Sequence, residues 1–176
     1  VVLLSVGTLR MQKRLRVILQ AMARLRNREQ LHYVICGEGP DMPFLQKLTR
    51  QLHLEERVHL LGYRTDIPDM LGAADIFCMP SRREGCGMAA LEAMAAGLPL
   101  ITVRSHGTKT YAEKGESGFC LKGDLVTSCA DAIEQLADNK LLRRQMGARN
   151  RAAATAFSDA DRMMLLRGYY QKALGD

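Results

Sequence analysis

The sequence predicts an α/β fold: a doubly wound parallel sheet with helices on both faces and further helices at the carboxyl end. Three observations lead there. Apolar runs of strand length alternate with amphipathic stretches of helical period, several runs close on glycine or proline, and a helical pattern continues from residue 124 onward. Strands alternating with helices imply parallel βαβ units, whose crossovers cover both faces of the sheet.

Taken in order, "VVLLSVG" (1–7) is a short apolar run ending in glycine and reads as a buried strand. "KRLRVILQAMARLRN" (13–27) places Leu15, Ile18, Leu19, Met22 and Leu25 on one helical face with arginines opposite. "LHYVICGEGP" (31–40) is the second strand and a turn, after which Pro40 or Pro43 opens a helix through residues 44–54. "RVHLLG" (57–62) is the third strand, and "DIPDMLGAA" (66–74) a short helix for Asp66 or Asp69 to cap. "DIFCMP" (75–80), "LPLITV" (98–103) and "SGFCL" (117–121) complete a set of six strands, and 124–174 is expected to be helical. The division expected is a domain over 1–157 and a C-terminal helix over 158–176.

At 176 residues, 47% apolar and 25% charged, the chain has the composition of an ordinary globular domain. It opens on Val1 and carries no signal peptide, which reads as a piece of a longer protein. No apolar run approaches the ~18 residues of a membrane span. Five cysteines form no C-x-x-C pair and mostly lie in apolar runs, so a reduced, cytoplasmic protein is expected. The four histidines show no ligand spacing, and neither a metal nor a cofactor is expected. The net charge of +6 is uneven: residues 1–64 hold 11 Lys/Arg against 5 acids, which suits an anionic ligand. Aromatics are only 5% and are not interleaved with the basic residues, which argues against nucleic acid.

The stretch richest in chemistry is "EGCGMAALEAMAAGLPLI" (84–101). Glu84 falls on the loop after the fourth strand, and a helix starts near Met88 and stops at Gly97. Glu92 then lies early in that helix, near the same mouth. Backbone N–H groups at a helix start, with glycines admitting close approach, favour a phosphate. Carboxylates beside it make strong hydrogen bonds to hydroxyls. Phosphate plus hydroxyls describes a nucleotide sugar. The bland alternative is equally open on spacing alone: Met88, Leu91 and Met94 pack while both acids are solvated.

The same stretch resembles the E-x7-E element of the family-4 retaining glycosyltransferases of GT-B fold. "SVGTLRMQKRLRVILQAMARL", "YVICGEGPDMPFLQKL", "VHLLGYRTDIPDMLGAADIFCMPS" and "SHGTKTYAEKGESGFCL" resemble further segments of that family, in order, over roughly residues 1–157. The resemblance implies the Rossmann-like C-terminal, donor-binding domain of an enzyme transferring a hexosyl group from a nucleotide-diphosphate sugar to a saccharide or lipid-linked acceptor. The acceptor would be met from the cytoplasm, peripherally to the inner face of a membrane where it is lipid-linked. It also implies a missing N-terminal domain, without which the piece transfers little.

Carried over by residue, Glu84 contacts donor-sugar hydroxyls, Glu92 the ribose, and the main chain of Gly85, Cys86, Gly87 and Met88 the diphosphate or sugar. Lys13 neutralises the departing diphosphate, Gly7 admits close approach, and Tyr63 and Arg64 stand at the base. Thr8 departs from the family, which has arginine there, and Cys86 replaces an aromatic. Two other readings are a sugar-nucleotide 2-epimerase half, which lacks obvious supporting acids and histidine, and a non-catalytic nucleotide-binding module.

Overall fold

The computed structural model describes residues 1–85, 87–104 and 117–155. Six parallel strands form one sheet in the order β3-β2-β1-β4-β5-β6: β1 (Val2–Val6), β2 (His32–Cys36), β3 (Val58–Gly62), β4 (Ile76–Met79), β5 (Leu100–Val103) and β6 (Gly118–Leu121). The strand order reverses between β1 and β4. In such sheets the crevice at the carboxyl ends of those two strands is the place where ligands bind.

The expected strands are all present, each within a residue or two of its sequence boundaries. Their alternate side chains feed two cores. Leu3, Tyr33, Ile35, Cys78 and Ile101 face α1 (Arg16–Arg24), α2 (Met42–Gln51) and α5 (Leu125–Asp138), where Ile18, Leu19, Leu45, Ile133 and Leu136 cover them. Leu4, Cys36, Phe77 and Leu100 face the other way, onto α3 (Ile67–Ala73) and α4 (Met88–Ala95). One polar relay crosses the first core: the Tyr33 hydroxyl donates to Ser5 Oγ, which donates to the Cys78 carbonyl. The Arg57 guanidinium donates to the carbonyls of Met22, Leu25 and Arg28, closing the carboxyl end of α1.

Several helices differ from expectation, each for a local reason. The helix expected from Lys13 starts only at Arg16, because Met11–Lys13 form a 3₁₀ turn and Arg14 is left-handed at φ 54°, ψ 31°. The second helix begins at Met42, with Pro43 in its first turn, where proline's missing N–H costs nothing. Asp66 stands at the cap position of α3 but caps nothing. Arg64 holds its carboxylate by two hydrogen bonds and keeps it below the usual carboxylate range.

The helical stretch after residue 124 breaks at Asn139, whose side chain accepts from the Leu142 amide (2.8 Å) and opens α6 (Lys140–Ala154). The expected boundary at 157 and the helix over 158–176 lie outside the described residues. Among the described residues, no helix is long and apolar enough to cross a membrane.

Candidate functional site

Two loops leave the sheet on either side of the reversal. The loop after β1 runs through Gly7 and Thr8 into the 3₁₀ turn, and the loop after β4 runs from Pro80 to Gly87. They are laced together: the Arg82 amide donates to the Gln12 carbonyl (2.7 Å), and Lys13 Nζ lies 2.6 Å from Glu84 Oε1. Neither partner of that ion pair is free in solvent, the side chains being 19% and 11% exposed. Water screens the attraction of such a pair less than that of a surface ion pair, against the cost of desolvating both charges. The 3₁₀ turn explains how Lys13 gets there. A continuous helix from residue 13 would give Lys13 a helical backbone, whereas the turn and the left-handed Arg14 set it apart from α1.

Gly7 joins this pair to a pocket. A Cβ placed on Gly7 would lie 3.6 Å from Lys13 Cε and 3.7 Å from Nζ. The same glycine lines an open pocket of about 380 Å³ with Thr8, Cys36, Gly37, Glu38, Tyr63, Arg64 and Ile67. The floor is tight because the chains leaving β1 and β2 touch: a Cβ on Gly37, at φ +144°, would stand 2.0 Å from the Gly7 carbonyl oxygen. The Gly7 amide donates to the Cys36 carbonyl (3.0 Å), and the Gly37 amide to the Gly62 carbonyl (2.7 Å). The ends of β1, β2 and β3 are thus tied into one wall. Burial pushes the Cys36 thiol up, so the sulfur in this wall is a packing group and not a thiolate.

Of the residues singled out in the sequence, Gly7, Thr8, Tyr63 and Arg64 share this pocket, and Lys13 and Glu84 meet beside it. Tyr63 is 72% exposed and free to receive a flat ligand. Arg64 is committed to Asp66 through Nε and Nη2, which narrows what it can offer. Gly87 is buried, left-handed at φ 68°, and opens α4, its carbonyl accepting from Ala90 and Leu91. Met88 is 48% exposed at the helix start; Gly85 is exposed with open space around it. Glu92 is exposed on α4, one helix face away from the buried Leu91 and Met94. Cys86 lies outside the described residues.

Sequence reading overlooked Glu38 and the turn around it, although "GEGP" follows β2 directly, and strand carboxyl ends are where such sites lie. Ser81 was overlooked too. It is fully buried after β4, and its hydroxyl has no partner among the described residues. Among the described residues no three His, Cys, Asp or Glu side chains gather as a metal site would require.

Comparison with known proteins fits this geometry. The family model described as "Glycosyl transferases group 1" matches residues 1–153. The chain is 32% identical over 151 residues to the N-acetyl-alpha-D-glucosaminyl L-malate synthase of Bacillus anthracis, a match covering 85% of this chain and 39% of that protein. It is 33% identical over 144 residues to a lipopolysaccharide core biosynthesis glycosyltransferase of Rhizobium meliloti, covering 81% and 42%. The fold is shared with the pneumococcal O-GlcNAc transferase solved with UDP and GlcNAc (TM-score 0.90, 21% identity, 99% of this chain and 36% of that one). It is also shared with the C-terminal domain of a glycosyl transferase group 1 family protein from Francisella tularensis (TM-score 0.78, 23% identity, 88% and 84%). The chain spans about two fifths of the length of the curated relatives it matches.

Proposed function

Because the chain belongs to the family of group 1 glycosyl transferases, we propose that it is the half of such an enzyme that holds a nucleotide-diphosphate sugar, for retaining transfer of a hexosyl group to a saccharide or lipid-linked acceptor. The observation that carries this reading is the Lys13–Glu84 pair, set at the strand-order reversal and joined through Gly7 to the pocket. Breaking a glycosyl–diphosphate bond puts negative charge on the leaving diphosphate, and an ammonium group already positioned beside it lowers that barrier. Lys13 is the group for this task. Glu84, released from Lys13 as the donor arrives, accepts hydrogens from the sugar hydroxyls.

The remaining roles are those that the resemblance to the family implies. Glu92 takes the ribose hydroxyls, while the main chain of Gly85, Gly87 and Met88 takes the diphosphate or sugar. Gly7 and Thr8 let the phosphates lie close without a second cation, and Tyr63 stacks on the base, with Arg64 beside it. The roughly three fifths of the relatives' length that this chain lacks would supply the acceptor site. We place the enzyme in the cytoplasm, peripheral to the membrane where its acceptor is lipid-linked. UDP accompanies the pneumococcal neighbour, which makes UDP-sugars the first donors to try.

The test is calorimetric titration of the chain with UDP-, GDP- and ADP-linked sugars. One series should bind, and Glu92→Gln should weaken it by about 1.5–3 kcal/mol, the range for a hydrogen bond to a charged group. Absence of binding by every nucleotide sugar would reject the donor-domain reading. Unchanged affinity in Glu92→Gln would move the ribose elsewhere.

A further inference from the structure

The ammonium group of Lys13 borders two places at once. Its Nζ lies 2.6 Å from Glu84 Oε1, and the same side chain runs along Gly7 at the pocket, Cε and Nζ standing 3.6 Å and 3.7 Å from a Cβ placed there. The backbone on both sides of the pair is pinned. The Arg82 amide donates to the Gln12 carbonyl (2.7 Å), and the Lys13 amide closes the 3₁₀ turn on the Arg10 carbonyl (2.8 Å). The loops cannot carry the two charges apart without breaking these bonds, so Lys13 and Glu84 part by rotation of their side chains. Arg64, which lines the same pocket, is held by Asp66, and Thr8 is uncharged. An anion entering from the pocket therefore meets a lysine that is already engaged.

We infer that Glu84 is an internal competitor for Lys13, and that this competition lets the site keep an intact nucleotide-diphosphate sugar and reject the spent nucleoside diphosphate. The inference rests on the donor-domain reading above. A diphosphate gains Lys13 only by drawing it off Glu84, whose side chain is 11% exposed. Removing one member of a desolvated pair is costly, because the charge left behind has neither partner nor water. An intact donor offsets that cost, since its sugar hydroxyls donate to the freed carboxylate. A nucleoside diphosphate brings no sugar to that place and carries a further negative charge on its terminal phosphate, so the unpaired Glu84 repels it. Once the sugar has been transferred, Glu84 retakes Lys13 and the nucleotide is pushed out. An exposed ion pair could not act this way, because water would replace either partner at little cost.

Calorimetric titration of the 176-residue chain with UDP and UDP-glucose, GDP and GDP-mannose, and ADP and ADP-glucose tests this. In the series that binds, Glu84→Gln should tighten the nucleoside diphosphate roughly tenfold and weaken the nucleotide sugar roughly tenfold. The gain should appear as slower release of the nucleoside diphosphate. Glu84→Asp, one methylene short of Lys13, should tighten the nucleoside diphosphate in the same sense by roughly threefold, and it serves where melting shows that Glu84→Gln does not fold. Glu92→Gln, on the ribose side, should weaken both ligands of the series alike. A nucleoside diphosphate bound no more tightly by either Glu84 variant than by the unaltered chain would overturn the inference; a common loss in Glu92→Gln would still support the donor-domain reading. No binding in any series would overturn both.

Discussion

At the scale of single residues, Lys13 and Arg14 stand next to each other and do opposite things. Lys13 points to Glu84 and is held there with little solvent between them. Lys13→Ala should weaken nucleoside diphosphate binding by about 1.5–3 kcal/mol while barely affecting the free nucleoside, and the difference should shrink as salt is raised. Calorimetry in two salt concentrations reads this, and equal losses for nucleoside and diphosphate would place Lys13 away from the phosphates. Arg14 is left-handed, a conformation that costs a residue bearing a Cβ roughly 1–2 kcal/mol. Glycine removes the strain but adds freedom to the unfolded chain, worth about 0.4–1 kcal/mol in the other direction. Arg14→Gly should therefore raise stability by up to about 1 kcal/mol, seen as a melting temperature a few degrees higher. A lower melting temperature would show that contacts of the arginine outweigh the strain.

At the scale of elements, α6 is the one whose position matters most to the site without touching it. Gly147 sits against the turn between α4 and β5: a Cβ there would come within 2.0 Å of the Gly97 carbonyl oxygen. Asn150 donates to the carbonyls of Leu98 and Ser117, and Arg151 to that of Ala96, so α6 fastens the far end of α4. Gly147→Ala should destabilise the fold by about 1–3 kcal/mol through overpacking, even though alanine is the better helix former by about 1 kcal/mol. Chemical denaturation measures it; a neutral result would mean that α6 shifts freely. This contact was not legible in the sequence, where Gly147 is one glycine in a helical pattern and Gly97 a helix stop. The strands were legible, because burial on both faces makes each a short apolar run. The start of α1 was not, because Arg14 has no sequence signature for a left-handed conformation and the arginines continue an amphipathic pattern through it. Glu84 was picked out by its place on the glycine loop and Lys13 by resemblance, yet their meeting needed the fold, since 71 residues separate them.

At the scale of the whole molecule, the strand-order reversal makes two half-sheets that share only the β1–β4 pairing, and the crevice opens where they diverge. The bond from the Arg82 amide to the Gln12 carbonyl spans that divergence. Any widening of the mouth must break it, and an amide proton exchanges with solvent only when its bond is broken. The rate at which Arg82 takes up deuterium therefore counts openings of the crevice, because Arg82 and Arg83 are themselves exposed, where exchange of an unbonded amide should be fast. Arg82 should exchange more slowly than Arg83 next to it. A bound donor should slow it further without changing the strand amides, whose exchange follows unfolding of the domain as a whole. If Arg82 and Arg83 exchange alike, the two loops part freely and the mouth is never shut.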